Sequence, residues 1–410
     1  MTAATPSTRN PQDPKNAKDP KDPKKARKAR KARKAWGKVR KAKTPEGRKV
    51  PAPAPALAPA PAPAPRRARV VRSPSHRVSL RVEVRAITVC AVALALTAGI
   101  GVLALGTGEY TISPADVVRT LLGNGSRRTD FVVNELRLPR LLTGVLVGAA
   151  LGLSGALFQS LTRNPLGSPD IVGFTYGSAT GGLLVVLVAG GTGGQIAMGA
   201  VGGGLVTAVL VYVLAWRRGV QGYRLVLVGI GVSALLQGVN AYLLAKARFT
   251  QAAQAMVWLN GSLNGRGWQD VRPAALGLLV VLPLVAAAAG RLKVLEMGDD
   301  AAGGLGVPVQ RTRLVLLVLA TAACAVATAA AGPIPFVALV APQLARRLTR
   351  VPGPNLAAAT CAGAFLVVTA DFASQRVHEA TQLPVGVVTA VAGGLYLGLL
   401  LRRQRRAGRI

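Results

Sequence analysis

From residue 86 onward the chain is a succession of long apolar runs broken by short polar clusters. Ten such runs can be marked, at about 86–106, 141–161, 171–190, 195–216, 222–245, 274–290, 312–331, 335–348, 356–373 and 384–401. About twenty apolar residues, rising 1.5 Å each as a helix, cross the ~30 Å hydrocarbon core of a bilayer. The pattern predicts an all-α polytopic membrane protein with about ten transmembrane helices. The eighth run is short and lies among Gly332, Pro333, Pro335 and Pro342. A helix of ~14 residues reaches only about 21 Å, so it must be packed within protein or stop short of one face. Gly144, Gly148, Gly152 and Gly155 dot the second run, and such spacing lets a neighbouring helix approach closely.

The segment before the first run reads differently. Residues 1–85 contain Lys/Ala/Arg repeats, then an Ala-Pro run from Val50 to Pro65. Sequence of that kind buries too little apolar surface to offset chain entropy, so disorder is expected. It carries 25 basic against five acidic residues, which accounts for +20 of the formal net charge of +35. The chain as a whole is 50% hydrophobic and only 16% charged, below the quarter charged that is typical of soluble domains. Three readings of the basic block stay open: a solvated tail held near anionic lipid, an over-extended start, or nucleic-acid contact. Aromatic interleaving is confined to Trp36, so no nucleic-acid partner is expected. The division is thus a tail at 1–85, a membrane domain at 86–402 and a basic C-terminal tail at 403–410.

Basic residues set the orientation. Arg163, then Arg217, Arg218 and Arg224, then Arg291, Lys293, Arg311 and Arg313, then Arg346, Arg347 and Arg350 fall in alternate loops. With both termini, these loops are expected to be cytoplasmic. Arg137 and Arg140 fall on the other side, either as anchors at the interface or as contacts for a partner. Few polar groups interrupt the spans: Ser233, Gln237, Asn240 and Asp371. They suit a hydrated path or hydrogen bonding between helices. Between runs six and seven, Glu296, Asp299 and Asp300 precede small residues and Leu305-Gly306-Val307. That composition suits a short helix ended by glycine.

Catalytic chemistry is not expected. Cys90, Cys324 and Cys361 lie in apolar runs without metal-ligand spacing, and read as small buried hydrophobes. His76 and His378 make no cluster, and GxxxxGK[ST] is lacking, so ATP and other cofactors are not expected to bind this chain. An ion-coupled secondary transporter, the alternative from a different class, would show paired intramembrane carboxylates, whereas Asp371 is nearly alone.

Five blocks in order carry a resemblance: ELRLPRLLTGVLVGAALGLSGALFQSLTRNPLGSPDIVGFTYG (135–177), WLNGSLNG (258–265), LEMGDDAAGGLGV (295–307), AGPIPFVALVAPQLARR (331–347) and QLPVGVVTAVAGG (382–394). Together they resemble the FecCD-type permeases of bacterial ABC importers for iron-siderophores, haem and vitamin B12. The resemblance implies a type II importer fold like that of the vitamin B12 permease, in the cell membrane. It implies a permease subunit moving a ferric siderophore, with the wording NPLGSPD, LEMGDD and QLPVGVV favouring the catecholate, enterobactin-type class over haem or cobalamin. The partners implied are a second, paralogous permease chain, two ATPase subunits holding ATP and Mg, an extracytoplasmic siderophore-binding lipoprotein, and membrane lipids. By the same resemblance Arg137 and Arg140 dock the binding protein, with Arg376, beside Gln375, standing near the place of a third arginine. The ATPases seat on the loop carrying Leu295, Glu296, Gly298, Asp299, Asp300, Ala302 and Gly306. Ser233, Gln237 and Asn240 are the path candidates. Gln343 stands where such permeases often have histidine, and is assigned no chemistry.

Overall fold

The computed structural model describes residues 31, 34, 68–72, 79–191, 193–217, 219–377 and 383–406. The expected tail at 1–67, His76, His378 and residues 407–410 therefore lie outside the described residues, apart from Lys31 and Lys34. Chain contacts divide into a unit at 1–66 and a unit at 67–410, and every element below belongs to the second.

Each expected span has its helix. These are α1 (Val84–Gly106), α4 (Leu138–Thr162), α5 (Phe174–Leu187), α6 (Gly194–Ala215), α7 (Gly222–Lys246), α9 (Trp268–Glu296), α11 (Val309–Ala331), α12 (Val337–Thr349), α13 (Leu356–Val377) and α14 (Val385–Arg406). Short helices α2 (Pro114–Leu121), α3 (Arg127–Asp130), α8 (Phe249–Leu259) and α10 (Asp299–Gly304) fill the connections. Among the described residues seven helices are long and apolar enough to cross a membrane, while α5 and the apolar part of α14 are shorter. α12, with 13 residues, is as short as its sequence suggests.

Three boundaries depart from expectation. Ala68–Arg72 (β1) and Ser79–Glu83 (β2) pair antiparallel, Ala68 opposite Glu83, where a disordered tail was expected up to residue 85. The alternation in Ser-Leu-Arg-Val-Glu supplies the strand pattern, masked by the basic composition around it. α14 continues to Arg406, so residues 403–406 are helical and not part of a tail. The connection expected from Arg291 to Arg313 shrinks to residues 297–308, because α9 and α11 each add about a turn.

α4 forms the middle of the bundle, packed by α13, α11, α12 and α9. Almost every residue from Thr143 to Leu161 is covered, including large side chains such as Phe158 and Leu157. Its glycines explain how. A Cβ at Gly148 would overlap the carbonyl oxygen of Gly363, one at Gly152 that of Ala359, and one at Gly155 that of Ala338. Those oxygens belong to backbone and cannot swing away. Gly155→Val is therefore expected to force α4 and α12 apart and abolish stable accumulation of the chain. Membrane abundance of this variant, compared with Gly202→Val, whose Cβ meets nothing within 4 Å, provides the measurement.

Candidate functional site

Four of the five sequence blocks meet at one cavity. It holds about 510 Å³ and is lined by Asp170, Thr175, Tyr176, Gln237, Asn240 and Asn260 among polar residues, with Pro333, Pro335, Gly386 and Val387 beside them. Two half-length helices create it. α5 starts after the turn Asn164–Gly173, in which Asn164 Oδ1 accepts from the Leu166 amide and Gly173 takes φ 91°. α12 starts after Gly332-Pro-Ile-Pro, where two prolines withhold amides that would otherwise need partners. Both turns fold into the bundle, and irregular backbone at such depth is tolerated where it lines a cavity.

The turns touch through Asp170. Its carboxylate accepts hydrogen bonds from Thr175 Oγ1 at 2.6 Å, Ser168 Oγ at 3.2 Å and the amide of Phe336. Thr175 also stands 3.3 Å from Cys324 Sγ, well inside α11. The acceptor oxygens of Asp170 sit at the entry of two helices, where the positive ends of both dipoles lie. Phe336 is held at φ 67°, a left-handed conformation that a bulky side chain rarely takes. The surrounding loops fix it. Ser262 N bonds Ala331 O, Gly386 N bonds Gly261 O, and Gln343 Nε2 bonds Pro165 O at 2.6 Å. Gln343, assigned no chemistry above, ties α12 to the turn before α5.

Of the three path candidates, Gln237 and Asn240 line this cavity. Asn240 Oδ1 accepts from Thr180 Oγ1 at 2.7 Å. Ser233 lies deeper in the packing, where its hydroxyl bonds Ile171 O and Gly229 O. Asp170 and Asn260 were missed. The signal available was a pair of short apolar runs, each entered through a proline-rich turn.

A second cavity, of about 400 Å³, lies at the α1–α4–α13 end and is lined by Arg137, Arg140, Asp371 and Gln375. Arg140 meets Asp371 in a bidentate pair, Nη2 to Oδ1 at 2.9 Å and Nε to Oδ2 at 3.0 Å. Gln375 Nε2 adds a third bond to Oδ2 at 2.8 Å. Asp371, which reads from sequence as nearly alone, is thus paired across 231 residues of chain. Arg137 ends a π-helical stretch, Phe131–Arg137, whose wider turn aims a side chain off the regular helical path. Its guanidinium donates to the carbonyls of Leu105 and Tyr110, both at 2.7 Å. Arg376 is exposed, lies over the Phe372 ring at 3.4 Å and reaches Thr107 Oγ1.

At the opposite end of α9 the 297–308 connection forms the expected short helix, Asp299–Gly304, closed by Gly306 at φ 78°. Leu295 and Ala302 are buried beneath it, while Met297, Asp300, Leu305 and Gly306 are exposed. Gly298 takes φ 125°, and Glu296 is half-buried near Arg346. Asp299 anchors the loop. It pairs with Arg163 and, at 3.0 Å, with Arg313, while Arg163 also donates to Leu295 O. Burial pushes the Asp299 carboxyl up, but Arg313 and Arg163 outweigh this and hold it below the ordinary carboxylate range. A lowered folded value contributes stability above the unfolded pKa of about 3.9, lost as pH falls through the folded value. Proteolytic cleavage within 297–308 is expected to accelerate below about pH 4. Asp299→Asn should be cleaved rapidly at every pH, and equal cleavage of both proteins at neutral pH would remove Asp299 as the anchor.

The comparisons follow these blocks. The model of the FecCD transport family matches residues 95–403. The ferric enterobactin transport system permease protein FepG of Escherichia coli (strain K12) is 45% identical over 306 residues, covering 75% of this chain and 93% of its own. The achromobactin transport system permease protein CbrC of Dickeya dadantii (strain 3937) is 36% identical over 333 residues, covering 80% and 95% respectively. Among solved structures, an inward-facing metal-chelate type ABC transporter matches with a TM-score of 0.69 at 26% identity, covering 77% of this chain and 99% of its own.

Proposed function

The chain belongs to the FecCD transport family, and from that premise we propose that it carries a ferric siderophore of the catecholate, enterobactin-type class across the cell membrane. At the coarser level it is the multi-pass permease subunit of a siderophore or metal-chelate type ABC importer, a transporter component and not an enzyme. The observation that carries the finer reading is the convergence of four blocks on the Asp170 cavity, in a chain 45% identical to FepG.

In this reading the chain pairs with a second, paralogous permease, and both termini face the cytoplasm. Two ATPase subunits supply energy with ATP and Mg, and this chain holds no cofactor of its own. They seat on the exposed edge of the 297–308 loop. A siderophore-binding lipoprotein docks at the outer mouth. Arg376 is exposed beside it and suits a partner carboxylate, while Arg137 and Arg140 hold the mouth's shape from within. Gln237, Asn240 and Asp170 line part of the path. The half-helices α5 and α12, joined by the Asp170–Phe336 contact, are the elements that shift when ATP binding rocks the spans.

Reconstitution with the ATPases and binding protein provides the test. ATP hydrolysis should rise when the binding protein is loaded, and liposomes should accumulate radioiron given as a ferric tricatecholate. Uptake of a trihydroxamate chelate, haem or cobalamin in its place would overturn the cargo assignment. No stimulation by any loaded binding protein would overturn the importer reading itself.

A further inference from the structure

A third cavity lies between α6, α9 and α11, apart from the path just described. It holds about 690 Å³. One end is polar, with Arg266, Gln269 and Asp270 at the start of α9 beside Gly193 and Gly194 at the start of α6. The rest is apolar, walled by Val201, Leu205, Ala274, Val326 and Ala329. Small residues make it a trough, since Ala197, Gly202 and Ala329 leave room that larger side chains would take. Met198 and Val206 on α6 and Leu276 and Leu279 on α9 are exposed around it, so the trough opens on the face that hydrocarbon covers.

Its length and its polar end identify the occupant. From Gly194 to Leu205 the lining follows α6 for about 17 Å at 1.5 Å per residue. That is roughly half of a ~30 Å hydrocarbon core, the depth of one leaflet. Water is scarce at such depth, and an acyl chain fits the slot. At the polar end Arg266 Nη1 stands 3.3 Å from Asp270 Oδ1. Arg266 Nε is steadied by Ser262 O at 3.3 Å and Asp270 Oδ2 by the Gly267 amide at 3.0 Å. A fixed cation beside a fixed anion complements a headgroup that carries phosphate and ammonium together. A headgroup with phosphate alone would meet Arg266 but be repelled by the neighbouring Asp270.

We propose that this slot binds one zwitterionic phospholipid, its acyl chain along α6 and its phosphate and ammonium against Arg266 and Asp270. Assigning it to the outer leaflet rests on the orientation proposed above, while the lipid site itself does not.

The test uses the full chain in detergent, exchanged into equimolar palmitoyl-oleoyl phosphatidylethanolamine and phosphatidylglycerol and examined by native mass spectrometry. One lipid per chain is expected to survive mild activation, with at least fivefold preference for phosphatidylethanolamine. A Cβ at Gly202 meets nothing within 4 Å, so Gly202→Phe should keep its melting temperature and lose at least fivefold in bound lipid. Ala329→Phe serves as the second blocking variant. Gly231→Phe, equally open but outside the slot, should retain the lipid. Arg266→Gln should keep a lipid but lose the headgroup preference. Equal retention in well-folded blocked variants would overturn the proposal, as would several lipids bound without preference. Failure here leaves the importer reading intact, because the readout is lipid and not transport.

Discussion

Neutralising either partner of the Arg140–Asp371 pair is expected to destabilise the bundle by roughly 3–5 kcal/mol, because breaking a buried pair leaves an uncompensated charge. The side chains are 15% and 9% exposed, and Asp371 Oδ2 already takes a second bond from Gln375. Asp371→Asn should therefore lower the melting temperature and the membrane abundance together. Arg140→Glu should be worse, since it places a carboxylate against Asp371 and against the polar lining of the mouth. The exchange of both, Arg140→Asp with Asp371→Arg, should recover most of the loss if the pair is a clamp between α4 and α13. Recovery is expected to be incomplete because arginine's fork fits from one side only. Thermal unfolding in detergent measures this directly. A single variant that melts normally yet fails to bind the loaded binding protein would place Arg140 in the docking surface, as the family resemblance implies.

That pair shows where sequence reading stops. The spans were legible because each is a continuous apolar run, a local signal that survives without tertiary context. The shortness of α12 and the small helix at Asp299–Gly304 were legible from proline and glycine placement. Pairing between Arg140 and Asp371 was not, since 231 residues separate them and no periodicity links their positions. Asp170 was hidden for another reason. Within NPLGSPD it reads as an ordinary turn residue, and only the meeting of two half-helices makes it the acceptor for Phe336. The strand pair at 68–83 was obscured by composition, as positive charge around it outweighed a short alternation. Function followed the same division. The five blocks mark the family, yet which of Arg137, Arg140 and Arg376 is exposed is a property of the fold.

Replacing Met297 and Leu305 together by aspartate is expected to separate the chain from its ATPases while leaving the chain itself intact. These two side chains are 70% and 64% exposed, and they frame the short helix that the Asp299 network holds in place. Burying a Met or Leu side chain contributes roughly 1.5–3 kcal/mol, and apolar anchors near the centre of an interface carry much of its affinity. Losing both, and adding two charges that would need solvation inside the contact, should weaken ATPase association at least tenfold. The variant should melt normally, because neither side chain supports the core. Asp299→Ala provides the contrast. It removes the acceptor shared by Arg163 and Arg313, so it should loosen the loop as well as weaken association. Co-purification of the ATPase subunits and hydrolysis stimulated by the loaded binding protein are the two readouts. If the Met297→Asp, Leu305→Asp protein keeps both, the energy-coupling surface lies elsewhere on the same end, and the Arg163–Pro169 turn becomes the next segment to alter.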